Sequence, residues 1–369
     1  MGNTCVTSGR AVGNPCITDV APAPPENSDD PAFRWKIYGF STLLERGAIP
    51  AFSAAFNGCG YKWRLVLQVN QMHKNDAGIP YVALGLELAE RSSKSGLVLN
   101  AVFELSIYNH SDGTYCRYKD SHTFRVIKNK TPEKSCVIPP ELLKSYSCVF
   151  GGRILKVDVP SKRKPIVVPN KPTIVQTVFL QNKEFIQGNY SWTINKFRAW
   201  KILISSPSFE VCGHKWLFRR EHIRCKPTSP CKPCKLQSGP HDVDPRGHAR
   251  EGGRGIYKIT GKNTWHITMF PYGYGYAKDF VSMYLNLNDP KHLPPQSGMM
   301  MIELTLSILD QEHGQHYTHQ GRFPFSSKTN WGWPYFVPLK TLKDPSKGYL
   351  VGSKCVVKAD ITIIGSYKY

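Results

Sequence analysis

The chain says the same thing twice. Trp35-Lys-Ile37-Tyr-Gly-Phe40 returns as Trp192-Thr-Ile194-Asn-Lys-Phe197, and Phe56-Asn-Gly-Cys59-Gly60-Tyr-Lys-Trp63 returns as Phe209-Glu-Val-Cys212-Gly213-His-Lys-Trp216. Near the end of each unit Cys148-Val149, with Ile154 six residues after the Cys, is echoed by Cys355-Val356 and Ile361. Matching words in the same order mean two copies of one folding unit, so the first question is what a single copy folds into.

Each copy reads as short strands. Lys62 to Leu67, Val82 to Leu88, Phe103 to Tyr108 and Leu155 to Val159 alternate apolar and polar residues with a period of two. Asn75-Asp76-Ala77-Gly78 and Ser111-Asp112-Gly113 punctuate them as turns. Many short strands at regular spacing predict an antiparallel sandwich or barrel. The first copy is expected over 33–159. A Pro-rich linker with the cluster Lys162-Arg163-Lys164 follows over 160–176, and the second copy runs over 177–369. Residues 1–32, rich in Pro, Ala, Asp, Asn and Ser, read as a disordered tail.

The spacing between copies is not constant. Trp35 to Trp192 is 157 residues and Gly60 to Gly213 is 153, whereas Leu105 to Leu306 is 201 and Cys148 to Cys355 is 207. Roughly 46 residues therefore enter the second copy after Trp216. On this reading Lys215-Trp216 starts a strand that Trp265 to Phe270 finishes. The stretch between, 217–264, is Gly-, Pro-, Arg- and His-rich, with 11 Lys/Arg against 4 Asp/Glu. It reads as a disordered extrusion or as translated intron sequence.

Composition narrows the function classes. Hydrophobic residues make up 41% and aromatics 12%, enough for packed cores. No apolar run reaches the ~18 residues of a membrane span, and the first residues lack a secretory pattern. Eleven Cys, an odd number without secretory context, predict reduced thiols buried as small apolar groups and a cytoplasmic protein. The charge of +21 is spread along the chain without a reading motif for nucleic acid. Nucleic-acid binding through the basic insertion and linker is the alternative function class, and salt titration separates it from peptide binding. Cys225, Cys231 and Cys234 with His222 or His241 resemble a zinc site, but a second paired spacing is missing. Met1-Gly2-Asn3-Thr4-Cys5 resembles a dual-acylation start, with Gly2 myristoylated and Cys5 or Cys16 palmitoylated. Such anchoring would hold the chain peripherally at the plasma membrane, although Val6 stands where Ser or Thr is preferred. No nucleophile elbow, paired carboxylates or phosphate loop stands out, so neither catalysis nor a cofactor is expected.

Taken together, Trp-x-Ile-x-x-Phe, Phe-x3-Gly-x-Lys-Trp, Phe280-Val-Ser-Met-Tyr284, Leu304 to Leu309, Trp331-Gly332-Trp333 and Tyr349-Leu-Val resemble the MATH (meprin and TRAF homology) domain in its plant-type tandem arrangement. The resemblance implies an all-β chain of two antiparallel TRAF-like β-sandwiches in tandem. It implies an interaction module that binds short extended peptides of partner proteins and is not an enzyme. The family often feeds its partners to ubiquitin ligases through an appended BTB domain; none is expected after residue 369, so ligase components would be separate chains or reached through an oligomer.

Carried over position by position, the resemblance assigns the peptide groove of the second copy to Tyr284, Leu304, Phe323, Trp331 and Trp333, flanked by Lys328, Thr329 and Asn330. Period two sends Trp331 and Trp333 to one face. In the first copy Gly85, Phe103 and His122 stand for Tyr284, Leu304 and Phe323, and Lys130 to Cys136 replaces the Trp-Gly-Trp loop. That groove has lost its anchors. Trp35, Trp63, Trp192 and Trp216 are expected in the cores.

Overall fold

The computed structural model describes residues 30–70, 81–89, 98–125, 135–143, 147–159, 173–182, 185–200, 202–211, 216–218, 257–259, 264–275, 277–288, 299–326 and 329–368. The first copy contains β1 (Phe33–Tyr38), helix α1 (Ser41–Glu45), β2 (Ala51–Phe52), β3 (Phe56–Gly58), β4 (Tyr61–Asn70) and β5 (Tyr81–Leu88). It continues with β6 (Val98–Asn109), β7 (Thr114–Arg125), β8 (Ser135–Ile138) and β9 (Ser147–Asp158). One sheet runs β7-β6-β9-β1, and the other runs through β4, β5 and β8, with β2 and β3 on β4. Alternation builds the space between them: Phe33, Trp35 and Ile37 of β1 are buried, while Arg34, Lys36 and Tyr38 stand between.

The second copy follows β10 (Ile174–Leu180) and contains β11 (Ile186–Ile194), β12 (Ile204–Ser205) and β13 (Phe209–Glu210). A separate ribbon pairs β14 (Trp216–Phe218) with β15 (Tyr257–Ile259). Then come β16 (Thr264–Phe270), β17 (Phe280–Leu287), β18 (Met299–Ile308), β19 (Tyr317–Ser326), β20 (Asn330–Pro338), helix α2 (Leu339–Lys343) and β21 (Cys355–Lys368). Its sheets run β19-β18-β21-β11 and β16-β17-β20, with β12 and β13 on β16. That is the order of the first copy, strand for strand. The register repeats too: Leu105 faces Gly152 and Leu306 faces Ala359. The chain is all-β and antiparallel within each copy, two sandwiches in tandem.

The ladder corrects one sequence alignment. Trp63 faces Leu88 and Phe56, and Trp265 faces Leu287 and Phe209. The counterpart of Trp63 is therefore Trp265, not Trp216, and both are fully buried. The extra residues do not split a strand. They lengthen the hairpin turn made in the first copy by Cys59-Gly60, both at positive φ. Hairpin turns tolerate insertion because neither core crosses them. Leu217, Phe218 and Tyr257–Ile259, inside the stretch read as disordered, form the ribbon; 219–256 lies outside the described residues. The side chain of Trp216 also lies outside them, and Trp192 packs partly buried against the second core.

The two copies are joined twice. β10 lies between β1, which it parallels, and β21, which it opposes. It begins at Ile174, inside the stretch read as linker, because Ile174, Val175, Thr177 and Val178 are β-branched. β2 lies between β4 and β19. The second copy's β18–β21 sheet thus bridges both sheets of the first. Met299, Met301, Ile364 and Tyr367 of the second copy complete the first copy's core, whereas Ile302, Leu304, Leu306 and Ile363 fill the second. A bulge in β21 opposite Met301/Ile302 places Ile364 on the first copy's side. Burial on both faces explains why Met299-Met-Met-Ile302 lacks alternation. The five described cysteines, Cys59, Cys116, Cys136, Cys148 and Cys355, are buried free thiols. Burial pushes Cys136, Cys148 and Cys355 up to about 12, so they pack as apolar groups.

Candidate functional site

The Trp-Gly-Trp segment lies on β20, which ends its sheet and pairs only with β17 among the described residues. Pro334 and Pro338 fit such an edge, since a missing N–H costs nothing on the open side. Gly332 is required: a Cβ there would sit 2.0 Å from the Met283 carbonyl oxygen. Trp331 and Trp333 face Leu285 and Met283, whose side chains are core, so both indoles lie on the inner face of β20. They are partly buried, at the rim between β19 and β20.

A continuous run of rings follows that rim. Phe323 stacks on Trp331 at 4.7 Å and meets Trp333 edge-on at 5.6 Å. Trp333 lies 5.4 Å from His319, which lies 4.9 Å from Phe336. The Trp331 indole N–H donates to the Pro324 carbonyl (2.6 Å) and pins the ring across β19. Burial holds His319 below its ordinary pKa, so its neutral ring donates Nε2–H to the Phe336 carbonyl (2.9 Å).

The expected groove residues do not form one surface. Phe323, Trp331 and Trp333 come together. Leu304 is fully buried in the second core, because Ile302, Leu304, Leu306 and Ile308 share the inward face of β18. Tyr284 lies on the opposite face of β17 from Met283 and Leu285, edge-on to Phe270 (6.2 Å) and Tyr274 (6.3 Å). Asn330 is exposed at the start of β20, and Thr329 closes the turn with Ser326. Lys328 lies outside the described residues, as do Gly2, Cys5, Cys225, Cys231, Cys234 and His241.

Part of the site comes from the first copy, which sequence reasoning missed. Phe52 stacks on Phe323 at 4.9 Å, and the Arg64 guanidinium lies 4.7 Å from the Trp331 ring centroid while forking onto Glu87. Beside them Arg322 is wholly buried. It donates Nε–H to Glu303 (3.0 Å) and its terminal N–H groups to the carbonyls of Leu43, Ile49, Arg46 and Gly47. Arg46 forks onto the same Glu303. Burial lowers the Arg322 pKa and Glu303 opposes that, leaving a charged guanidinium in a cage of acceptors.

Two stacked antiparallel sheets with an aromatic rim beside an edge strand define a β-sandwich. More narrowly, residues 258–361 match the sequence model of the MATH domain. Ubiquitin C-terminal hydrolase 12 of Arabidopsis thaliana is 31% identical over 107 residues, 28% of this chain and 9% of the hydrolase. Ubiquitin C-terminal hydrolase 13 of the same plant is 27% identical over 107 residues, again 28% and 9%. An Arabidopsis thaliana MATH domain and coiled-coil domain-containing protein is 24% identical over 109 residues, 29% of this chain and 32% of that one. The chain thus spans less than a tenth of the two hydrolases and about a third of the third relative. Among solved structures, Notothenia coriiceps TRAF5 is similar with 22% identity, covering 28% of this chain and 57% of that one at a TM-score of 0.24.

Proposed function

We propose that the chain is a non-enzymatic adaptor that takes an extended segment of a partner protein along the open edge of β20. One observation carries this: β20 ends its sheet with the Trp333 end of the aromatic rim beside it. An edge strand offers backbone hydrogen bonds, and neighbouring rings select side chains. Asn330 supplies an exposed polar end to the same strand. We place the bound partner in ubiquitin-dependent turnover, by similarity to the two ubiquitin C-terminal hydrolases. The setting we propose is cytoplasmic, with peripheral membrane attachment through Gly2 and Cys5.

Peptide display on the full chain would find ligands for the edge. Trp333→Ala should weaken a selected peptide about 30-fold, the ~2 kcal/mol of an aromatic anchor. Peptides that ignore Trp333→Ala, or that map to the first copy, would remove the site from β20. Attachment is read by fractionation: Gly2→Ala should move the protein from membrane to soluble fractions.

A further inference from the structure

We propose that residues 48–53 of the first copy are a built-in ligand of the second. The outer edge of β19, with Phe323 and Trp331, is a binding site for an extended segment carrying a Phe, and the chain fills that site in cis. The consequence for partners rests on the reading above: the Phe323–Trp331 half of the rim is closed, and the Trp333 half is what remains.

Three features make this a bound segment and not a chance contact. First, it adds to the sheet: Ala51 pairs in parallel with Arg322, whose N–H donates to the Pro50 carbonyl (2.8 Å). Secondly, it delivers a side chain: Phe52 lies parallel to Phe323, 12° between planes, and 6.3 Å from Trp331. Strand addition with one inserted side chain is the ordinary way an extended peptide is held. Thirdly, the turn that leads into it has a dedicated receptor: the Arg322 guanidinium is satisfied by Glu303 and the carbonyls of Leu43, Arg46, Gly47 and Ile49.

The other copy serves as an internal control. By register, Ser121, His122 and Val102 stand where β19 and β18 carry Arg322, Phe323 and Glu303. No strand pairs with the outer edge of β7 among the described residues. The receptor is present only where the segment docks.

A tethered segment acts at an effective concentration on the order of millimolar, so a micromolar peptide added in trans cannot displace it. The probe is a fluorescein-labelled peptide with the sequence of residues 43–53, tested on the full chain. Wild type should not bind it. The double variant Arg46→Ala, Phe52→Gly should bind at least tenfold more tightly, and a peptide with its Phe replaced by Ala should lose that gain. Equal binding to both proteins, or none to a double variant with native near-ultraviolet dichroism, would overturn the proposal. Should the variant not fold, wild type still decides by hydrogen exchange: the Arg322 amide should be protected, and exchange at the rate of an open edge overturns the assignment. The Trp333→Ala result tests the functional reading alone, since the site proposed for the 43–53 peptide uses Phe323 and Trp331 and not Trp333.

Discussion

The same loop has opposite fates in the two copies. After β1 the first copy makes α1, buries Thr42 and Leu43 and runs on as β2 onto its neighbour. After β11 the second copy makes only a short turn at Phe197–Ala199, and Trp200, Ile202 and Leu203 stay exposed. Ser205, paired on β16 as Phe52 is on β4, brings no ring. Each copy thus keeps only the half of the clasp that it uses. An interface that repeated head to tail would propagate into a fibre. This one ends at two copies because neither unit carries both halves.

The comparison can be broken at its strongest point first. Arg322→Ala leaves Glu303 without one of its two guanidinium partners and takes the side-chain donor from the carbonyls of Leu43, Arg46 and Ile49. It should cost roughly 3–5 kcal/mol in urea unfolding, while its register mate Ser121→Ala, an exposed residue, should change stability by no more than about 0.5 kcal/mol. Arg322→Lys should not restore the loss, since an ammonium cannot fork to Glu303 and the loop together. Equal effects at 121 and 322 would abolish the asymmetry. Next, Phe52→Ala should cost about 1–2 kcal/mol through its lost ring contacts, whereas Ser205→Ala should be silent in the same titration.

A third test uses pH. The first copy has Tyr118 where the second has His319, whose pKa burial lowers. The folded ring resists protonation while the unfolded ring accepts it, so the unfolded state binds more protons. The stability this gives is complete above the unfolded value of 6.5 and is lost as pH falls below it toward the folded pKa. Melting temperature should therefore drop as pH falls below about 6.5, and His319→Tyr should flatten that part of the profile. The smallest effect belongs to the long turn. Replacing 219–256 by an Asn-Gly turn between β14 and β15 should change stability by no more than about 1 kcal/mol, because closure entropy varies slowly with loop length. A large melting loss, or zinc-dependent folding, would give the insertion a structural role.

How far the sequence could be read depends on the range of the forces involved. The sandwiches, their order and the place of Trp35 and Trp63 followed from period-two alternation and from the repeat, which are local signals. Phe323, Trp331 and Trp333 were found as a group for the same reason. Leu304 and Tyr284 were misplaced as groove walls because which side of a strand faces the opposing sheet depends on register and bulges. Trp216 drew the alignment away from Trp265 because both carry a plausible strand, and only pairing with Leu287 decides between them. The Arg322 cage joins residues about 275 positions apart, and no local pattern records it.

The position of β10 has a mechanical consequence. Lys36 and Lys368 both sit opposite Thr177, one on each side of it. The first and last strands therefore start and finish at the same end of one ladder, and Phe33 and Lys368 lie roughly 14 Å apart from strand spacing and rise alone. A load applied between the ends of the folded chain meets this three-strand seam before either core. It pulls at the seam's near end, so the hydrogen bonds open one after another, like a zip, instead of sharing the force.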